Sequence, residues 1–217
     1  VDEWKWGCQD QLDRLKRQVQ ELGFSGLYFS TGGFFHNDFK TNVNSASLES
    51  LWKLVTDLKI PIHWYAAKNR QPRLDCYIEE IIEFHDWAKT HPHIPSVLTH
   101  GLENLRIDTE SLERFRVPTE IIKLIQSPNW YLELMLHKMS WDSEFPPYNP
   151  ELYHVVQTLV KEIGAEKLLW GSDMPSCEQV VTYQQSKTLW ETQCDFLSNE
   201  QRTGILGDNL TRLYPHT

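Results

Sequence analysis

The chain is short of the residues that several kinds of function depend on. Its 217 residues hold only four cysteines, Cys8, Cys76, Cys177 and Cys194, far apart and without a C-x-x-C spacing. That excludes a cysteine-built zinc site and a dense disulfide framework, and reduced thiols in a cytoplasmic protein are the expectation. No apolar run approaches the roughly 20 residues that span a bilayer. Positive charge is scarce: 21 Lys and Arg against 30 Asp and Glu leave a net charge of −9, with no basic stripe. Such a surface repels phosphate backbones, so neither nucleic acid nor a membrane is an expected partner. Gly/Ser/Pro-rich linkers, low-complexity tracts and internal repeats are also missing, which argues for one domain over residues 1–217. The opening Val1-Asp-Glu-Trp-Lys-Trp-Gly7 has no initiating methionine and none of the basic and apolar regions of a signal peptide. An interior start within a longer chain is expected.

What is present suits a folded α/β protein. The hydrophobic fraction is 40%, and 9 Trp, 8 Tyr and 9 Phe supply more aromatic surface than a disordered chain carries. From Cys8 to Leu22 the apolar residues Leu12, Leu15, Val19 and Leu22 recur at helical spacing, and Gly23 follows as a C-cap candidate. Beyond it, short apolar strands alternate with amphipathic helices. The strands are Gly26–Ser30, Ile60–Trp64, Pro95–His100, Trp130–Leu136 and Lys167–Gly171, and Ser198 with Gln201 forms a capping box for the last helix. Alternation of this kind makes right-handed βαβ units and a parallel sheet. Periodicity alone leaves two architectures open: a doubly wound sheet or part of a (β/α)8 barrel.

Both architectures put chemistry at the C-terminal ends of the strands. His63 closes its strand in this reading, His100 closes the next but one after Ser30, and Asp173 lies two residues beyond Gly171. Two imidazoles and a carboxylate are competent ligands for a borderline divalent metal. Singly, each has an ordinary explanation as a loop hydrogen bond or a helix cap; recurrence at three strand ends favours the joint one. His91-Pro92-His93 precedes its strand and so falls on the opposite, stability-bearing end. On the strand Tyr131–His137, Leu132, Leu134 and Leu136 share one face, leaving Glu133 inward as a structural hub or a support for a ligand, and His137 at the rim. Arg70 and Arg73 are candidates to clamp a substrate carboxylate, as is His137 to contact substrate; a solvated loop pair is the competing reading of the arginines.

Glu166-Lys-Leu-Leu-Trp-Gly-Ser-Asp-Met-Pro175 resembles the last-strand motif of the amidohydrolase-related family, metal-dependent hydrolases and decarboxylases built on a (β/α)8 barrel. Ile60-Pro-Ile-His63 resembles that family's fifth-strand histidine, Val97-Leu-Thr-His-Gly101 its sixth-strand His-Gly motif, and Ile205–Tyr214 its C-terminal helix. The resemblance implies a TIM-barrel-like fold with strands four to eight present and the first three missing, since no first-strand His-x-His pair is found. It implies that His63 and Asp173 are metal ligands and that His100 and Asp173 are catalytic, with a divalent metal, zinc or else manganese, as cofactor. The activity it implies is hydrolysis of a small ester, lactone or amide through a metal-activated water. Non-oxidative decarboxylation of a small aromatic acid is the alternative, and a degenerate barrel serving as a binding protein is a second. The partner expected is a small-molecule substrate, with a homo-oligomer left open.

Overall fold

In the computed structural model of the protein, residues 8–32, 42–67, 74–102, 117–139 and 151–214 are described. Five strands form one parallel sheet: β1 Leu27–Ser30, β2 Ile62–Tyr65, β3 Ser96–Thr99, β4 Trp130–Leu134 and β5 Leu168–Trp170. Their spatial order is their chain order, β1-β2-β3-β4-β5. A doubly wound sheet reverses direction at a switch point. This one never does, so the sheet is singly wound, as in a segment of a barrel.

The helices α1 Gln9–Gln20, α2 Glu49–Leu58, α3 Leu74–Thr90, α4 Thr119–Gln126, α6 Glu151–Ile163 and α7 Tyr183–Thr192 surround it, with a short α5 at Leu136–Met139. Strand alternation decides which face they cover. Phe29, Ile62, Trp64, Leu98, Trp130, Leu132, Leu134 and Leu168 join the helix residues in the main core. At its centre Phe29, Trp52, Trp64, Phe84, Trp87 and Trp130 pack ring to ring, with centroid separations of 5.2–6.1 Å. His91 belongs to this packing, stacked on Trp87 at 4.8 Å, in keeping with a stability role for that end of the sheet.

Helix ends follow local chemistry. Gly23 at φ +74 turns the chain beyond α1, where the Phe24 N–H reaches the Gln18 carbonyl at 3.0 Å. Thr182 and Ser198 each form a reciprocal capping box, with Gln185 and Gln201. After α8 Asn199–Thr203 comes a π-helical turn, Gly204–Asp208, and then α9 Asn209–Leu213. Asn209 is buried, and its Nδ2 donates to both the Ala165 and Leu168 carbonyls at 2.9 Å, tying this last helix to the base of β5. Every strand differs from the sequence reading by one or two residues at an end, and two of these differences bear on the site. β2 runs on to Tyr65, so His63 does not close it, and β4 stops at Leu134 before turning into α5. Both segments are apolar across the boundary, which hides the strand end from a reading of periodicity.

Candidate functional site

The inner face of the sheet is built in layers, because side chains two residues apart in a strand share a face. The register pairs Tyr28 with His63, His63 with Val97, and Val97 with Tyr131 in a lower layer. One layer nearer the C-terminal ends, Ser30 pairs with Tyr65 and Tyr65 with Thr99. Leu169 of β5 packs with Val97, and Leu213 and Tyr214 cover them.

His100 and Asp173 emerge above these layers, just past β3 and β5. Their side chains face each other, His100 Nε2 to Asp173 Oδ1 at 3.8 Å, with 17% and 18% of their surface exposed. Both backbones are left-handed, φ 57 at His100 and 49 at Asp173. For non-glycine residues that costs of order 1–2 kcal/mol each, so the surrounding structure has to hold them there. The chain also passes closely against β4 beside each of them. A Cβ at residue 101 would lie 3.2 Å from Leu132 Cγ, and one at residue 171 would lie 2.7 Å from Glu133 Cδ. At either place an added Cβ would require the β4 side chain to move.

Glu133, on β4 between them, points inward as its strand alternation requires. Its carboxylate lies near the Thr99 side chain, His100 and Asp173. Burial raises its carboxyl pKa above the ordinary 4.5, Asp173 adds to the rise, and His100 and Thr99 oppose it. Tyr65 also belongs here, with its ring 4.9 Å from that of His100.

The residues singled out from sequence are therefore divided. His100 and Asp173 are brought together. His63 is not: it stands in the lower layer, and its Nε2 is bonded to the Tyr214 hydroxyl at 2.7 Å. Tyr65, two residues on and in register with Thr99, is the β2 residue that reaches the His100 ring. The reason is that β2 continues two residues past His63, to Tyr65, which leaves His63 below the rim. Burial holds the His63 imidazole pKa below its ordinary 6.5. His137 lies in α5 with 0% exposure and presents no surface to a substrate. Arg70 and Arg73 lie outside the described residues. Sequence reasoning passed over Tyr65 and Tyr214; the signal for Tyr65 was the alternation His63, Tyr65 along β2, once its end is known.

The donor set can be tested against the metal that the resemblance implies. His100 and Asp173 offer one imidazole nitrogen and one carboxylate oxygen, separated by a distance that two ligands at about 2.1 Å from one ion nearly span. Beside them Glu133 Oε2 is buried with no hydrogen-bond partner among the described residues. Among the described residues no group of three His, Cys, Asp or Glu is close enough to hold an ion by itself. Asp173 thus fits as one member of a ligand set, with the His100 imidazole beside it.

Comparison with known proteins adds to this geometry. A family model described as amidohydrolase matches residues 6–216. No curated protein matches the chain. Among solved structures, the chain is similar to an amidohydrolase from Burkholderia multivorans with bound zinc: TM-score 0.70 at 16% identity, over 96% of this chain and 70% of that one. It is similar to a probable 2-pyrone-4,6-dicarboxylic acid hydrolase from Acinetobacter baumannii with citric acid bound, at TM-score 0.61 and 15% identity, over 99% and 71% of the two chains. A dihydroxybenzoic acid decarboxylase from Polaromonas, with bound manganese and an inhibitor, gives TM-score 0.61 at 16% identity, over 94% of this chain and 64% of its own. Likeness at these identities establishes the fold, a TIM-barrel-like α/β arrangement.

Proposed function

The chain belongs to the amidohydrolase family, a family of enzymes, and on that premise we propose that it hydrolyses a small ester, lactone or amide at the C-terminal ends of β3 and β5. The observation that carries this reading is the facing pair His100 and Asp173, 3.8 Å apart and both held in left-handed backbone conformations. A divalent cation, zinc in the first instance and manganese otherwise, would be held through Asp173, with the His100 imidazole beside it free to act on the substrate. When bound, it supplies Lewis-acid polarisation.

The chain's own groups do the rest. Asp173 takes a proton from the attacking water through its carboxylate. His100, with Nε2 directed at Asp173, orients the carbonyl and passes a proton to the leaving oxygen or nitrogen. The Tyr65 ring walls the His100 side and limits water there. His63, first read as a ligand, supports the inner face through Tyr214 in this account. The five strands correspond to the fourth to eighth of a (β/α)8 barrel, a reading supported by the 70% coverage of the zinc-containing structure. The enzyme is placed in the cytoplasm and acts on a small molecule.

The test is an assay of the zinc- or manganese-loaded protein on a panel of lactones and aryl esters, beside dihydroxybenzoates. Hydrolysis that is lost in Asp173→Asn and His100→Ala, with the melting temperature kept, supports the proposal. Carbon dioxide release without hydrolysis would assign decarboxylation instead, and no turnover of either class by loaded protein would leave the binding-protein reading in its place.

A further inference from the structure

We propose that Tyr77 is a positioning residue: its hydroxyl pins the Gly101 carbonyl from the helix side and so keeps the adjoining His100 turned toward Asp173. The inference deepens the reading of the His100–Asp173 site and rests on it only for the use to which that geometry is put.

Tyr77 lies in the first turn of α3 and is buried. Its hydroxyl donates to the Gly101 carbonyl, 24 residues further along the chain. From the other side the Gly101 N–H donates to the Glu133 carbonyl of β4 at 3.2 Å. Both polar groups of residue 101 are therefore engaged, one by an outer helix and one by the next strand. Glycine has little conformational preference of its own, so these two bonds set the course of the chain there. His100 stands between this clamp and the ladder of β3, where Thr99 is in register with Tyr65. Its left-handed conformation, φ 57, is one that a non-glycine residue leaves when the chain beside it is free to follow. Tyr77 removes that freedom. Burial pushes the Tyr77 hydroxyl pKa far above its ordinary 10, and Glu80 and Tyr65 add to the rise. The hydroxyl thus keeps its proton, and the bond its donor, over the whole range in which an enzyme is assayed.

Tyr77→Phe keeps the ring and removes the donor. A bond that served stability alone would leave His100 where it is and lower only the melting temperature. A positioning bond does more. In the crystal structure of the variant His100 is expected to leave positive φ, with its Nε2 further from Asp173 than 3.8 Å. On the lactone or aryl ester that the wild type turns over, kcat is expected to fall at least about tenfold with KM little changed. Calorimetric titration with zinc ion alone is expected to give the wild-type affinity, because the cation is held through Asp173. Ser198→Ala, which opens the α8 capping box, supplies a control that loses stability at another place; its kcat and its His100 are expected to match the wild type.

A Tyr77→Phe structure with His100 still left-handed and still facing Asp173 would overturn the proposal, as would an unchanged kcat. The wild-type crystal structure gives a reading that needs no variant: a Tyr77 hydroxyl turned away from the Gly101 carbonyl, with His100 still on Asp173, would overturn it too. Wild-type protein that hydrolyses none of the panel would count against the functional reading alone, since the crystal structures read the orientation of His100 without substrate.

Discussion

His63 and Glu133 share the inner face yet respond to acid in opposite senses. Burial lowers the His63 pKa from 6.5, so the unfolded chain binds a proton there more readily than the folded one. Its contribution to stability is full above about pH 6.5 and is lost as pH falls through the folded value. Burial raises the Glu133 pKa from 4.5; that contribution is full below pH 4.5 and is lost as pH rises through the folded value. Urea midpoints measured between about pH 4 and pH 9 are expected to show both slopes. His63→Asn removes the slope that lies below about pH 6.5, and Glu133→Gln removes the slope that begins above pH 4.5. Tyr214→Phe removes the 2.7 Å bond to His63 and keeps the ring; a loss of about 1 kcal/mol is expected by the same measurement. Residue identity was legible here only in part. Glu133 could be placed inward from the leucines that flank it, and His100 and Asp173 from their strands. The site of His63 could not, because its layer depends on where β2 ends.

Between elements, the join that matters is the one Asn209 makes to the base of β5. Removing it in Asn209→Ala strips the Ala165 and Leu168 carbonyls of a buried donor, and a cost of about 1–3 kcal/mol is expected in chemical denaturation. Thr182→Ala opens one capping box and is expected to cost about 1 kcal/mol. The two sites share no hydrogen-bond partner, so the losses should add in the double variant. The Ser198 box was readable from its four-residue pattern. Asn209 was not, because a polar residue within Leu206–Leu213 reads as the solvent side of a helix. Only its two acceptors, more than 40 residues earlier in the chain, give it a buried role.

At the scale of the molecule, the two faces of the sheet are treated unequally. Among the described residues six helices bury the outer face, while Val97 and Leu169 on the inner face are packed by Leu213, Tyr131 and Tyr214. Leu22, Phe24 and Tyr28, each more than half exposed, stand at the β1 side of that face. Replacing Leu213 and Tyr214 together by alanine is expected to cost at least about 3 kcal/mol, and to raise binding of a hydrophobic dye before the melting transition. The βα alternation was plain in the sequence. The choice between an open and a barrel-like sheet was not, because helix and strand periods are the same in both; the order of strands and the one-sided helices decide it. The placing of Tyr214 has a consequence for synthesis. Each strand joins a neighbour already made, so the sheet can grow as the chain leaves the ribosome, but the residue that closes its inner face follows Trp170 by 44 positions. At the usual pace of translation, about 5–20 residues per second, Leu169 waits ~2–9 s and Val97 ~6–23 s for that cover, an interval in which the nascent chain offers apolar surface of the kind chaperones bind.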